Sequence, residues 1–332
     1  MKFEIDVLNV GNADAIILRY IDDSDKEYVV LIDAGNKGDG EKVMEHIKNY
    51  TDKKCIDLAI CTHPDSDHIG GFKEIVGNMD IKQFWIHDPK LSYIKDNIES
   101  DQHLKNTLLS ESIIVPLFES IKESTELLSL IDSRKIPRND QPFADLKFDD
   151  ACLTVVGPSE DFYKEQVKGF RNIASLFESA NSSMLIPGEY KRHLESVTQN
   201  FISHLNDTGK ENNSSVILMF EPKDGEKYLF TADVGPIGLQ RAIDSFKISD
   251  LTWLKVPHHG SRRNLEDLIV EKLRPKIAYI SCKKNSHYPD EGVVKCLIQN
   301  RCNVYATYSG SLRLSYGVEP RGEYKNATPI TI

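Results

Sequence analysis

Four residues of metal-ligand type fall within six positions of one short segment, Thr62-His63-Pro64-Asp65-Ser66-Asp67-His68. The segment follows an apolar, strand-like run over 57–62 and precedes Gly70-Gly71. Because alternate side chains at a strand end point the same way, the first histidine and the two aspartates can converge, and His68 can join them from the turn. Imidazole and carboxylate ligands suit zinc, manganese or iron. The segment therefore predicts a metal site, although each residue alone is explained equally well by a helix cap or a surface hydrogen bond.

Further polar motifs lie at predicted strand ends on both sides of this segment. They are Asn9-Val10-Gly11-Asn12-Ala13-Asp14-Ala15, Leu31-Ile32-Asp33-Ala34-Gly35, Asn212-Asn213-Ser214-Ser215-Val216, Thr231-Ala232-Asp233, Lys255-Val256-Pro257-His258-His259-Gly260-Ser261 and Asn285-Ser286-His287-Tyr288-Pro289. With the 62–68 segment, they resemble the metallo-β-lactamase superfamily over about residues 1–90 and 212–320. The aspartate at position 65, followed by Gly-Gly, resembles the hydrolase domain of ComEC-type competence proteins. Asn9, Asn12 and Ala13 depart from that pattern, and His287 is separated from Pro289.

The resemblance implies an α/β fold, the metallo-β-lactamase αββα sandwich with helical insertions, and two divalent ions, Zn or Mn, at one edge of it. The residues implied around the first ion are His63, Asp65 and Asn212. Those implied around the second are Asp67, His68 and His258, with Asp233 bridging the two. Supporting positions behind the ligands are implied for Asp33, Asp14 and Asn213. The catalytic groups are expected to be Asp67, His259 and His287, of which the two histidines would donate a proton or stabilise developing charge.

Basic residues lie beside the later motifs. Lys283, Lys284 and Arg262 are adjacent to predicted site residues, so we expect them to contact a phosphate, with a solvated surface as the equal alternative. The whole chain has 41 Lys+Arg and 51 Asp+Glu, a net charge of −10, which is mild evidence against nucleic acid. This net charge is unevenly distributed, with +5 over residues 250–332 and −15 over residues 1–249.

The 332 residues allow one large α/β unit or two domains. A hydrophobic content of 40% and a charged content of 28% are typical of globular proteins and argue against disorder. No apolar run approaches the length of a membrane span, and the amino-terminal residues alternate like a strand rather than a signal peptide. The six cysteines form no Cys-x-x-Cys pair, so we expect reduced thiols and a cytoplasmic protein with no membrane contact.

Strand-like runs alternate with helical patterns in two parts of the chain. Strands are predicted over 3–10, 13–20, 28–33, 57–62, 215–221, 227–231, 251–256, 276–282, 304–307 and 311–315. Helices are predicted over 41–50, near 238–246, over 265–273 and over 291–301, with a further helix beginning in 69–76. One domain over 1–332 is expected, with its core in about 1–90 and 212–332. Residues 90–211 are expected to form insertions, mostly helical, with one core strand near 151–156 and a possible protein-binding face.

Three functions follow from these patterns. The first is a metal-dependent phosphodiesterase or nuclease, in which the two ions activate a water molecule that attacks a phosphoester. Nucleic acid is one candidate substrate. The second is a metallohydrolase of another small ester, such as a phosphocholine ester, a lactone or a thioester. The third is a scaffold that has lost activity and binds a protein partner; the retained histidines and aspartates argue against it.

Overall fold

The computed structural model describes residues 1–88, 122–149, 152–167, 209–222, 225–319 and 327–331. The strands in these ranges are β1 (Lys2–Val7), β2 (Ala15–Ile21), β3 (Glu27–Ala34), β4 (Cys55–Ile56), β5 (Leu58–Cys61), β6 (Asp80–Ile81), β7 (Phe84–Ile86), β8 (Arg138–Asn139), β9 (Lys147–Phe148), β10 (Leu153–Gly157), β11 (Ile217–Phe220), β12 (Tyr228–Phe230), β13 (Trp253–Lys255), β14 (Ile277–Ile280), β15 (Asn303–Ala306) and β16 (Leu312–Tyr316). The α-helices are α1 (Gly40–Tyr50), α2 (Ser66–Ile69), α3 (Phe72–Asn78), α4 (Lys122–Ser133), α5 (Glu160–Val167), α6 (Lys210–Asn213), α7 (Pro236–Phe246), α8 (Asp267–Leu273) and α9 (Glu291–Gln299).

The strands form two seven-stranded sheets and a short β4–β6 pair. The first sheet has the order β16-β1-β2-β3-β5-β7-β8, and the second has the order β15-β14-β13-β12-β11-β10-β9. Strands β3, β5, β7 and β8 run parallel to one another in the first sheet, as do β12 to β15 in the second. Parallel strands place their carboxyl ends at one edge of a sheet, which is where ligands bind in α/β proteins.

The two sheets pack face to face, and helices cover both outer faces. Successive side chains of β2 point to opposite faces of the sheet. Ile16, Leu18 and Tyr20 lie in the core between the sheets, whereas Ile17 packs with the outer layer. Helices α1, α3 and α4 cover the first sheet, and α7, α8 and α9 cover the second. Both outer layers bury apolar helix faces against sheet residues, so the order of layers is helix, sheet, sheet, helix.

This layered arrangement confirms the α/β sandwich that the sequence predicts. The first three predicted strands correspond to β1, β2 and β3. Helices α8 and α9 are each two residues shorter at one end than predicted, and α7 begins two residues earlier. Within 90–211, the described residues hold α4 and α5 but also β8, β9 and β10, of which β8 joins the first sheet and β9 and β10 the second. Much of the helical expectation for 90–211 lies outside the described residues. Across the described part of the chain, no helix combines the length and the apolar character needed to cross a membrane.

Candidate metal centre

Four side chains from both sheets meet at the edge where the parallel strands end. They are Asp67, His68, Asp233 and His259, whose candidate ligand atoms all lie within 4.8 Å of one another. Nε2 of His68 lies 3.3 Å from Oδ1 of Asp233 and 3.6 Å from Oδ2 of Asp67. Nε2 of His259 lies 3.1 Å from Oδ2 of Asp67 and 3.9 Å from Oδ2 of Asp233. The cluster thus presents two imidazole nitrogens and two carboxylates to one point.

Asp33 orients the histidines of the first sheet. In the pairing of β2 with β3, Ala15 opposes Ala34 and Ile16 opposes Ile32, so Asp33 is the extra residue of a β-bulge, with φ of 58°. Its Oδ2 accepts a hydrogen bond from Nδ1 of His68 at 2.7 Å. Because a carboxylate can only accept, Nδ1 carries a proton, and the Nε2 atom of His68 faces the cluster and offers its lone pair once it has lost its own proton.

The same carboxylate sets the tautomer of His63 through a threonine. The Thr62 hydroxyl donates to Oδ2 of Asp33 at 2.7 Å, so the hydroxyl oxygen must accept from Nδ1 of His63, 3.1 Å away. Burial lowers the pKa of His63 to about 4, with the charge of His68 as the next cause, so the ring is neutral. Its buried Nε2 has a lone pair and no hydrogen-bond partner among the described residues. His63 stands beside the cluster, with its ring centre 4.1 Å from that of His68.

Close backbone packing holds helix α2, which carries Asp67 and His68, against the end of β3. A β-carbon on Gly71 would lie 2.2 Å from the carbonyl oxygen of Ala34, so only glycine fits there. The backbone N–H of Asp14 donates to the carbonyl of Asp67 at 3.1 Å and fixes the other side of the helix. The Gly70-Gly71 pair therefore allows the close packing that holds Asp67 and His68 in position.

The residues around the second-sheet ligands have unusual backbone angles. Ala232, His258 and His259 have φ values of 45°, 45° and 55°, in the left-handed region that residues with a β-carbon rarely adopt. Such strain is kept where the surrounding structure enforces it, and it is common at functional sites. Here it aims Asp233 and His259 inward, and the Nδ1–H of His259 donates to the carbonyl of Ser281 at 2.8 Å.

The charges of the cluster stabilise one another. Burial by itself lowers the pKa of His68, but the carboxylates of Asp233 and Asp33 outweigh it and raise that pKa well above its usual value. Burial by itself raises the pKa of Asp67 and Asp233, but nearby imidazoles, His68 first, hold both pKa values below the usual range. The centre therefore keeps its carboxylates ionised and holds a positive charge between them.

The donor set fits a divalent ion. Oδ1 of Asp233 and Nε2 of His68 are buried and face each other, yet neither has a hydrogen-bond partner within the described ranges. Two atoms with lone pairs at such a distance need a shared proton or a shared cation. Two nitrogen and two carboxylate ligands suit zinc or manganese.

A second compact group, formed by Asp14, Asp33 and His68, is engaged in other contacts. Lys255 is fully buried, and its Nζ donates to Oδ2 of Asp14 at 2.6 Å and to the carbonyl of Val256 at 3.2 Å. Oδ2 of Asp33 is held by His68 and by a threonine hydroxyl. The lysine already supplies the cation for this group, so it fits an ion poorly.

The two adjacent histidines hold positions opposite to those that the resemblance implies. His259, expected to transfer a proton, is in the four-residue cluster, whereas His258, expected to be a ligand, is 24% exposed and lies 3.8 Å from Asp233. Nδ1 of His258 lies 3.3 Å from Nδ2 of Asn212, an amide nitrogen that can only donate. Nε2 of His258 therefore carries the proton, and it lies 3.4 Å from the Tyr288 hydroxyl.

The other predicted site residues are placed as follows. Asp65 stands at the N-cap of α2, where its carbonyl accepts from the backbone N–H of His68 at 2.9 Å, and it is in neither compact group. Asn213 is buried and donates from Nδ2 to the carbonyl of Gly209 at 2.9 Å. His287 is exposed.

The predicted phosphate-contacting residues lie on the surface. Lys283 and Lys284 are exposed, and the backbone N–H of Lys283 donates to Oδ1 of Asn12 at 2.8 Å. The Nζ of Lys284 stands 5.6 Å from the centre of the Tyr308 ring. Arg262 is 73% exposed and donates from Nε to Asp290 at 2.9 Å. Part of its charge is therefore already compensated.

The fold and the candidate metal ligands are similar to those of metallo-beta-lactamase superfamily hydrolases. Residues 8–140 match the family described as the metallo-beta-lactamase superfamily, a range that includes Asp33 and the 62–68 segment. The chain is also similar to ComE operon protein 3 of Bacillus subtilis (strain 168), with 32% identity over 113 residues. That match covers 33% of this chain and 14% of the relative, so the chain corresponds to a small part of that protein.

Three residues at or near the centre were not predicted from the sequence: Lys255, Tyr288 and Thr62. Lys255 stands in an otherwise apolar strand, Trp253-Leu254-Lys255-Val256, and a charged residue in such a run is a signal of a buried ion pair. Tyr288 follows the predicted His287, and Asn285 Oδ1 accepts from both of their backbone N–H groups. Nothing in the sequence distinguishes Thr62 from an ordinary strand-end threonine.

Proposed function

We propose that this chain is a metal-dependent phosphodiesterase. The observation that carries the proposal is the four-residue cluster of Asp67, His68, Asp233 and His259, which presents two nitrogens and two carboxylates within 4.8 Å. We propose that these residues are the ligands of the tight metal position and that a second ion, beside His63, binds more weakly. A divalent ion in such a site supplies an activated water nucleophile and stabilises charge on phosphoryl oxygens.

The protein's own residues would orient and protect this centre. Asp33 holds the lone pair of His68 toward the centre, and through Thr62 it does the same for His63. The pKa values of Asp67 and Asp233 are held low, so both carboxylates remain ionised across the physiological range. Burial of Asp233 and His259 limits competition from bulk water for these atoms.

We assign proton donation to His258 instead of His259 or His287. Its Nε2–H is at the open side of the centre, 3.8 Å from Asp233, and the Tyr288 hydroxyl lies 3.4 Å from the same nitrogen. Asn212 keeps the opposite ring nitrogen as an acceptor. A donor in that position can protonate the oxygen that leaves when the P–O bond breaks.

The preference for a phosphodiester over other esters rests on charge. Lys283, Lys284 and Arg262 are exposed and follow the second-sheet ligands in the chain, and we propose that they form a basic rim. A phosphodiester keeps its negative charge at neutral pH, and exposed lysines or arginines attract it, whereas a lactone or thioester gains nothing from them. Nucleic acid is one such substrate.

We also propose one domain over 1–332, in which the parts of 90–211 outside β8, β9 and β10 are insertions that limit access to the centre or bind a protein partner. All six cysteines are free thiols, five of them buried, which supports a reducing, cytoplasmic location.

The test is a substrate panel. Bis(p-nitrophenyl) phosphate, a phosphocholine ester, a lactone and a thioester are offered to protein stripped of metal and reloaded with Mn²⁺ or Zn²⁺. The proposal predicts metal-dependent turnover of the phosphodiester, lost in Asp67→Ala while the circular dichroism spectrum is kept. Faster turnover of the lactone or thioester would replace the proposal with another esterase activity. No metal-dependent turnover of any substrate would favour a non-catalytic scaffold.

A further inference from the structure

A small cavity opens beside the metal centre and shares His63 with it. Its wall includes Ile86 and His87, which follow the end of β7, and Tyr163 of α5. His63 connects the two, because it lines the cavity and its ring centre lies 4.1 Å from that of His68. Apart from His63, none of the predicted ligands and none of the predicted phosphate-contacting residues lines this cavity.

His87 is the unusual member of the wall. Its side chain is 7% exposed, and neither ring nitrogen has a hydrogen-bond partner among the residues that the structure describes. Its ring stacks on Tyr163 at 4.0 Å and contacts Phe143 at 5.0 Å. Burial lowers the pKa of His87 to about 3, so the ring is neutral, with one N–H donor and one lone pair.

Two buried polar atoms without partners on one ring are costly, at about 1–3 kcal/mol for each group. Apolar groups cannot recover this cost. An ammonium or a carboxylate would satisfy only one type of atom, and it would lose its hydration in a wall that includes the apolar Ile86. A hydroxyl group is small, neutral, and both donates and accepts, which matches a neutral imidazole.

We propose that this cavity is the subsite for a hydroxyl on the carbon adjacent to the one that bears the esterified oxygen of the substrate, and that His87 recognises it. The inference rests on the proposed phosphodiesterase function. It narrows the substrate class to phosphodiesters with a vicinal hydroxyl. Two sources carry that chemistry: a ribonucleotide, through its 2′-hydroxyl, and a glycerol phosphodiester.

The test compares matched substrate pairs that differ in this hydroxyl alone. Ribo and deoxyribo dinucleotides form one pair, and the p-nitrophenyl phosphodiesters of glycerol, esterified at its terminal oxygen, and of 1,3-propanediol form the other. We expect kcat/KM to favour the hydroxyl-bearing member of at least one pair by about 10- to 100-fold, the effect of leaving a buried polar group unpaired. His87→Phe, which keeps the aromatic ring and removes both nitrogens, should reduce that ratio to near one. His87→Asn, which keeps a donor and an acceptor, should restore part of it.

Phe143→Leu is the matched control, since it also contacts the His87 ring and carries no polar atom. It should leave the ratio unchanged. Turnover of bis(p-nitrophenyl) phosphate, which has no such hydroxyl, should be similar in all four proteins. Equal rates within both pairs for the wild type, or a preference that survives His87→Phe, would overturn the subsite while leaving the phosphodiesterase intact. Loss of bis(p-nitrophenyl) phosphate turnover in the reloaded wild type would instead remove the phosphodiesterase and the subsite together. The pair that shows the preference identifies the source.

Discussion

Nζ of Lys255 donates to Oδ2 of Asp14 at 2.6 Å, joining residues 241 positions apart and therefore the two sheets of the sandwich. Both side chains are buried, with Lys255 0% and Asp14 1% exposed. Asp14 in turn donates its backbone N–H to the carbonyl of Asp67 and accepts at its own carbonyl from Gly35. The pair lies behind the ligands and fixes the first-sheet half of the centre relative to the second.

Removing the lysine should therefore destabilise the protein strongly. Lys255→Met leaves Asp14 buried without its cation, and breaking a buried pair in this way costs about 3–5 kcal/mol. The double variant Asp14→Asn/Lys255→Met should recover part of that loss. Urea unfolding measures both. Lys272→Met, whose partner is an exposed aspartate, is the control and should change stability by less than about 1 kcal/mol. Equal stability of Lys255→Met and the wild type would show that the pair is not structural.

Asp33 should control metal affinity without touching the metal. Asp33→Asn replaces one of the two accepting oxygens by an amide nitrogen that can only donate, so the bonds from Thr62 and His68 cannot all be kept. The lone pairs of His68 and His63 then lose their fixed direction. Losses of such supporting carboxylates reduce metal affinity about 10- to 100-fold. Calorimetric titration of the stripped protein with Zn²⁺ measures the change, with the exposed Asp244→Asn as control. Wild-type affinity in Asp33→Asn would contradict the role assigned to this carboxylate.

Metal binding should release a proton and strengthen as the pH rises. The pKa of His68 is raised well above its usual value by Asp233 and Asp33, which outweigh the effect of burial, so the metal-free ring is protonated at neutral pH. An ion can use Nε2 only after that proton leaves, so below this pKa the apparent affinity should rise about tenfold per pH unit. Calorimetry in two buffers with different heats of ionisation counts the protons. Metal uptake without proton release would mean that His68 is not a ligand.

Proton donation by His258 should depend on the leaving group. His258→Gln should lower kcat about 10²-fold or more for a phosphodiester with an alkyl or nucleoside leaving group, because that oxygen must be protonated as it leaves. p-Nitrophenolate leaves without a proton, so the same variant should change its release far less. The exposed His287→Gln is the control and should match the wild type on both. An equal loss of kcat with both kinds of leaving group would contradict proton donation and would indicate that His258 helps to hold the metal.

The strands and layers were predictable because apolar periodicity decides them. Ile16, Leu18 and Tyr20 alternate with Ile17 in the sequence as they do between the core and the outer layer. The spacing of the 62–68 segment predicted that His63, Asp65, Asp67 and His68 converge, and of these only Asp67 and His68 belong to the four-residue cluster.

The rest depends on backbone geometry that no spacing reveals. Which of His258 and His259 turns inward is set by two consecutive left-handed residues. The aim of Asp33 comes from a bulge in β3, and the partner of Lys255 lies 241 residues away. Tyr288 reaches His258 because Asn285 closes a turn that leaves the neighbouring His287 in solvent. These contacts join residues that are distant in the chain or depend on backbone angles, so the spacing of residues in the sequence does not predict them.

The most direct measurement of the central claim is turnover of bis(p-nitrophenyl) phosphate by stripped protein as Mn²⁺ or Zn²⁺ is titrated in. Wild type should gain activity that saturates with the ion. Asp233→Asn, which keeps the size of the side chain, should need a far higher ion concentration and reach less than about 1% of the rate. Full activity without added metal, or an unchanged titration in Asp233→Asn, would contradict a hydrolytic centre built on Asp67, His68, Asp233 and His259.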